Sequence, residues 1–212
     1  SGKSTLVASY VEARHLPHLW YHVDAGDGDP ATFLHYLRQA AIQLLGKRAA
    51  ALPVFTSERA QDLTQFARNL CRELFSALPE GAVVVLDNFD AARSSPAQRA
   101  AFAEGLEEIP EGINVVVLSR ADPPPEFARL AAGQRIARLE PAELRCTEGE
   151  AAALLGGKSL DPAVVQRIQR QSDGWVAALV LLREHLRRPG AAVEQSLGEG
   201  RDAIFQYFAG EI

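Results

Sequence analysis

Ser1-Gly2-Lys3-Ser4-Thr5 carries the closing half of the phosphate-binding loop pattern G-x-x-x-x-G-K-[ST], and the residues after it decide the fold. In an intact loop, successive backbone N–H groups and the positive end of the following helix surround the β-phosphate. The Lys3 amine then reaches the β- and γ-phosphates, and the Ser4 hydroxyl holds Mg²⁺. Gly2 is required because a side chain there blocks the approach of backbone to phosphate. The leading Gly of the pattern and its strand are expected upstream of residue 1, so the chain reads as a nucleotide-binding fragment truncated within the loop. A bare G-K-[ST] arises by chance about once in two thousand positions, so its surroundings carry the argument.

Those surroundings alternate apolar runs of strand length with amphipathic helical stretches, the pattern of an α/β fold. Thr5 to Arg14 reads as a helix and Leu19-Trp20-Tyr21-His22-Val23 as a short strand closed by Asp24. Asp29 followed by Pro30 predicts an N-cap and first helical position, opening a helix through about Leu45 with Phe33, Leu34, Leu37, Ala41 and Leu44 on its apolar face. A second amphipathic stretch, Gln61 to Leu78, leads through Pro79-Glu80-Gly81 into Ala82-Val83-Val84-Val85-Leu86-Asp87. A nearly all-apolar run of that length implies a strand buried on both faces. A helix around Gln98 to Glu108 precedes Ile113-Asn114-Val115-Val116-Val117-Leu118-Ser119-Arg120, which reads as a second buried strand with a polar tip. Arg135 to Leu139 is the candidate for a last strand.

Thereafter the alternation stops. Thr147 to Leu155, Asp161 to Gln171 and Gly174 to Arg187 read as helices, with Thr147 and Asp161 as N-caps, Glu150 completing a capping box and Asp173 capping the third. The expected organisation is a nucleotide-binding domain over 1–139, a small all-helical domain over 140–200, and the start of a further domain over 201–212. No internal repeat is present.

Composition narrows the function. With 47% hydrophobic and 23% charged residues the chain is an ordinary globular sequence, and a net charge of −5 gives no general attraction to nucleic acid. Cys71 and Cys146 lack metal-site spacing and disulfide density, which suits a reducing compartment. No apolar run approaches a membrane-spanning length, and the cytoplasm is the expected location.

Asp87 ends a buried strand, and ligands of open α/β sheets bind just outside such ends. A carboxylate there fits the Walker B role, holding Mg²⁺ together with Ser4 because a hard cation takes oxygen ligands. The next residue is Asn88, and an amide cannot accept the proton of an attacking water as a carboxylate does. Asp90 is a candidate partial substitute for that base, or else a cap of the following turn. Arg120 ends the second apolar strand, where its guanidinium would sense a γ-phosphate, or else lie on the surface. Trp20, Tyr21 and Trp175 read as packing residues, and the five histidines share no metal spacing.

In order along the chain, the loop half, Trp20-Tyr21-His22-Val23-Asp24 with Asp27, Asp29-Pro30 and Phe33, Val84-Val85-Leu86-Asp87-Asn88-Phe89-Asp90, Leu118-Ser119-Arg120, Glu143-Leu144-Arg145-Cys146-Thr147 with Glu150-Ala151, and Asp173-Gly174-Trp175-Val176-Ala177-Ala178-Leu179 make the chain resemble MalT-like, LuxR-type regulators of the STAND class of signal-transduction ATPases. The resemblance implies a P-loop NTPase sheet flanked by helices, ATP or ADP with Mg²⁺ as ligands, Gly2, Lys3, Ser4 and Thr5 on phosphates and metal, Asp87 as Walker B, and Arg120 as sensor. Members usually carry a second acidic residue after the Walker B Asp, so Asn88 implies slow hydrolysis or none. Phe205-Gln206-Tyr207-Phe208 is similar to the start of the winged-helix domain that comes next in the family. The implied function is a regulatory switch that self-associates in the ATP state and answers an inducer through domains outside this chain, with transcription as its output. The alternative is a turnover-driven ATPase of AAA type, a motor or loader.

Overall fold

The computed structural model of the chain describes residues 2–56, 61–156 and 161–186. It is a mixed α/β structure whose three strands form one parallel sheet in the order β1-β2-β3. The chain divides into two compact units, one over Lys3–Ala137 and the other taking Gly2 with the residues from Arg138 on. The expected element over 201–212 lies outside the described residues.

The first unit opens with α1 (Lys3–Ala13), then β1 (His18–His22), α2 (Pro30–Leu45), α3 (Leu63–Ala77), β2 (Val83–Asp87), α4 (Pro96–Leu106), β3 (Asn114–Val117) and the short α5 (Ala128–Ala132). β2 lies between β1 and β3, with Trp20 opposite Val85 and Val84 opposite Val115. Because successive side chains of a strand point to opposite faces, the valine run of β2 divides between two cores. Val83 and Val85 pack with Val11, Leu118 and Trp20 on the α1 side. Val84 and Leu86 join Leu19, Tyr21, Phe33, Leu70, Leu74 and Phe102 on the side covered by α2, α3 and α4. This three-layer burial answers to the all-apolar composition read from residues 82–86, and the rings of Trp20 and Tyr21 fill space on opposite faces of the sheet.

Helix starts follow their caps. Asp29 accepts from the Thr32 N–H at 2.8 Å with Pro30 opening α2, and Asp62 accepts from the Gln65 N–H at 3.0 Å to open α3. On α2 the buried position at the C-terminal end is Leu45, where the sequence pattern points to Leu44; Leu44 is half-buried. β3 is shorter than its apolar run and only partly buried, because among the described residues it pairs on one edge alone. Residues 135–139 form no strand. Arg135 instead donates to Glu107 O at 2.8 Å and Ile109 O at 3.0 Å, tying the segment to the end of α4, and Leu139 is 68% exposed.

The second unit contains α6 (Glu148–Leu155), α7 (Pro162–Ser172) and α8 (Val176–Leu186), packed around Ala151, Leu155, Val165, Ile168, Leu179 and Leu182. Thr147 and Glu150 form the reciprocal capping box expected of them, and Asp161 caps α7 by accepting from the Ala163 N–H. Asp173 does not cap α8. It closes α7 in the left-handed conformation, φ 50°, and its carboxylate accepts from Arg145 at 2.8 Å.

Glu108, just past α4, takes Arg68 and Arg72 of α3, each at 2.9 Å. The Arg72 hydrogen bond, with Arg68 behind it, holds the Glu108 carboxyl below the usual carboxylate range. A carboxyl depressed in the folded state stabilises the fold above its unfolded value, and that contribution is lost as pH falls through the folded value. Thermal unfolding of Glu108→Gln across a pH series should therefore show a Tm deficit at neutral pH that closes on acidification. A deficit independent of pH would assign the residue to packing alone.

Candidate functional site

The C-terminal tips of β1, β2 and β3 lie side by side, the place where an open parallel sheet receives its ligand. Asp87 ends β2, with its side chain 13% exposed. Its Oδ1 accepts a hydrogen bond from Ser4 Oγ at 2.8 Å, so the first turn of α1 and the tip of β2 meet through the two residues assigned to the metal. Lys3 occupies the first position of α1, a helix with no acidic residue in its first turn to oppose an anion at its positive end. Gly2 precedes it at φ 76°, a left-handed backbone that favours glycine. Thr5 is exposed.

The donor set suits a hard cation. A hydroxyl and a carboxylate oxygen meet at Asp87, and among the described residues there is no cluster of three His, Cys, Asp or Glu able to enclose a metal by themselves. Mg²⁺ is commonly held by one or two carboxylates with water and substrate phosphates completing its shell. Ser4 and Asp87 would hold it here.

His22, to which the sequence assigns no role, ends β1 opposite Asp87 in the parallel register, with Nδ1 3.4 Å from Asp87 Oδ2. No short motif signals this pairing, because it is fixed by the register of two strands far apart in sequence.

The loops beyond the tips are laced to one another. Asn88 adopts φ 61°, ψ 38°, a left-handed conformation that asparagine tolerates better than most residues, and its Nδ2 donates to Val23 O at 3.2 Å. Gly28, in the turn after β1, lies so close to Ala92 O that a Cβ would collide with it. Asp27 in the same turn is 2% exposed, and its Oδ2 accepts from the Asp24 N–H at 2.8 Å. Gln98 of α4 donates to Asp27 O at 2.9 Å. On the other side, Asp90 Oδ1 accepts from the Arg120 backbone N–H at 3.0 Å, joining the β2 and β3 tips. Asp90 thus acts in the structure as a brace between loops. Arg120 lies beyond Val117, the last residue of β3, and is exposed. The structure therefore joins Ser4, His22 and Asp87 in one group and Asp90 with Arg120 in another.

Neither cysteine belongs to either group. Cys71 is buried, and desolvation with the Glu108 charge pushes its thiol up to about 12. A groove of about 470 Å³ along α2, lined by Thr32, His35, Tyr36, Arg38 and Val54, contains none of the tip residues.

Fold and tips together describe a P-loop-like α/β domain followed by helices. Among known proteins the chain is similar to the HTH-type transcriptional regulator MalT of Cronobacter sakazakii, 28% identical over 199 residues that cover 92% of this chain and 22% of the regulator. It is similar as well to the serine/threonine-protein kinase PknK of Mycobacterium tuberculosis, 28% identical over 98% of this chain and 19% of the kinase. MalT of Vibrio campbellii is 24% identical over 100% of this chain and 24% of its own length. No family model matches the chain. These similarities support a MalT-like relation over most of the sequence. The chain spans about a fifth of the length of the curated relatives it matches, and a regulator and a kinase share that stretch, so neither name's activity comes with it.

Asn88 is the testable link between the tips. Asn88→Ala should lower stability by about 1–3 kcal/mol, the left-handed backbone and the lost hydrogen bond together. Asn88→Gly should recover the backbone share only. Equal losses for Ala and Gly in denaturant unfolding would show that φ at this position is not constrained.

Proposed function

We propose that the chain is the ATP/ADP-binding switch module of a MalT-like transcriptional regulator, binding nucleotide with Mg²⁺ and hydrolysing it slowly or not at all. The observation that carries this reading is the 2.8 Å hydrogen bond between Ser4 Oγ and Asp87 Oδ1, which unites the end of a G-K-S-T sequence with a strand-tip carboxylate. Similarity to MalT regulators along most of the chain supports the regulatory setting.

Each residue then has a definable task. Gly2 keeps the backbone open to phosphate oxygens, and the Lys3 amine, with the N-terminal N–H groups of α1 and the Thr5 hydroxyl, neutralises and orients them. Ser4 and Asp87 supply the cation's oxygen ligands, and the cation itself would neutralise charge on the β- and γ-phosphates. Arg120 senses the γ-phosphate from the β3 tip, and Asp90 holds the backbone from which it extends. At the position where a base for the attacking water is expected stands Asn88, whose amide is engaged with Val23 O and cannot take up a proton. The output is self-association in the ATP state, governed by an inducer acting on other parts of the full-length protein, with transcription downstream.

Calorimetry on the full-length protein should detect ATP and ADP binding that Lys3→Ala abolishes. Arg120→Ala should weaken ATP by about tenfold or more relative to ADP, the effect of one lost charged hydrogen bond, and reduce ATP-dependent sedimentation as an oligomer. An unchanged ATP/ADP preference ends the sensor assignment. Sustained turnover near ~1 s⁻¹ or above would replace the switch with a turnover-driven ATPase of AAA type.

A further inference from the structure

We propose that His22 is a positioning residue for Asp87, holding the strand-tip carboxylate in the orientation that serves a divalent cation; this rests on the nucleotide-site reading above. Asp87 is restrained from three directions. Its carbonyl oxygen accepts from the Val23 N–H at 2.8 Å, its Oδ1 accepts from Ser4 Oγ at 2.8 Å, and its Oδ2 faces His22 Nδ1 at 3.4 Å. Two of the three come from adjacent residues at the end of β1, Val23 holding the Asp87 backbone and His22 reaching its carboxylate.

Packing does not explain an imidazole at this place. The His22 side chain is 65% exposed, while the carboxylate it reaches is 13% exposed. An ionised carboxylate only accepts hydrogen bonds, so the bond to Oδ2 requires the proton on Nδ1. The arrangement is that of a donor one shell out from a metal, fixing the rotamer of a ligating group by occupying the lone pairs it does not use. With Ser4 as hydroxyl and Asp87 as its partner, rotation of the carboxylate about its own axis is the freedom that would spoil the oxygen pair. His22 removes that freedom.

The test separates cation coupling from nucleotide binding itself. ADP affinity of the full-length protein is measured by calorimetry in excess Mg²⁺ and again in EDTA, and the dissociation constant in EDTA divided by that in Mg²⁺ is the readout. His22→Ala should lower that ratio by about tenfold, the low end of what loss of an outer-shell partner costs a metal site, with the affinity in EDTA unchanged. His22→Asn, whose Nδ2 stands where the imidazole Nδ1 stood, should restore the ratio. Wild-type coupling in His22→Ala overturns the proposal, as does an equal loss of affinity with and without Mg²⁺ in both variants, which would mark a residue that merely shapes the strand end. Absence of ADP binding by the wild type overturns the nucleotide reading instead, and the His22 role falls with it.

Discussion

The hydrogen bond from Ser4 to Asp87 spans 83 residues of sequence, and apolar packing brings its two ends together. β2 is buried on both faces, with Val83 and Val85 on one side and Val84 and Leu86 on the other. Sliding such a strand by one residue would exchange the two sets, so its register is fixed by the cores and Asp87 emerges at one place only. On the α1 side, Val11 joins Val83, Val85 and Leu118, and this docking sets the height at which the first turn of α1 meets the strand tip. A polar contact of about 1 kcal/mol in its own right is thus located by burial worth several times more.

Around that contact the loops are tied by bonds that each join two strand tips: Asn88 to Val23, Phe89 to Leu118, Asp90 to Arg120. A left-handed residue directly after a strand turns the chain sharply, and asparagine combines tolerance of that conformation with a donor for the neighbouring carbonyl. Glutamate at the same position would carry both the backbone strain and a carboxylate facing a carbonyl oxygen. The absence of a second acid after Asp87 therefore has a structural side. On the proposed reading, slow hydrolysis results from a residue chosen by loop geometry.

Much of this was legible in the sequence where local chemistry and burial agree. Asp29-Pro30 and Thr147 with Glu150 announce helix starts because a side chain must satisfy orphan N–H groups, and residues 83–86 announce a buried strand because no polar atom interrupts them. The misreadings share another cause. Arg135 to Leu139 has the composition of a strand, yet a strand needs a neighbour's ladder, and long-range acceptors at Glu107 and Ile109 settle where Arg135 goes. Asp173 has the residue type of an N-cap for α8, yet its left-handed backbone makes it the residue that closes α7. His22 is invisible to motif reading because its partner is set by strand register, which no short motif encodes.

The size of the signal such a site can generate bounds how a switch would work. ATP and ADP differ by one phosphoryl group, and a single charged hydrogen bond to it contributes about 1.5–3 kcal/mol. Moving a two-state equilibrium from 1:99 to 99:1 takes about 5.5 kcal/mol of differential affinity. Arg120 alone would therefore bias such an equilibrium without inverting it. The remainder must come from further contacts that also distinguish the two arrangements, and by linkage anything else that prefers one arrangement raises its affinity for the matching nucleotide in the same measure. An inducer bound elsewhere would then act together with ATP, each supplying part of a free energy that neither provides alone.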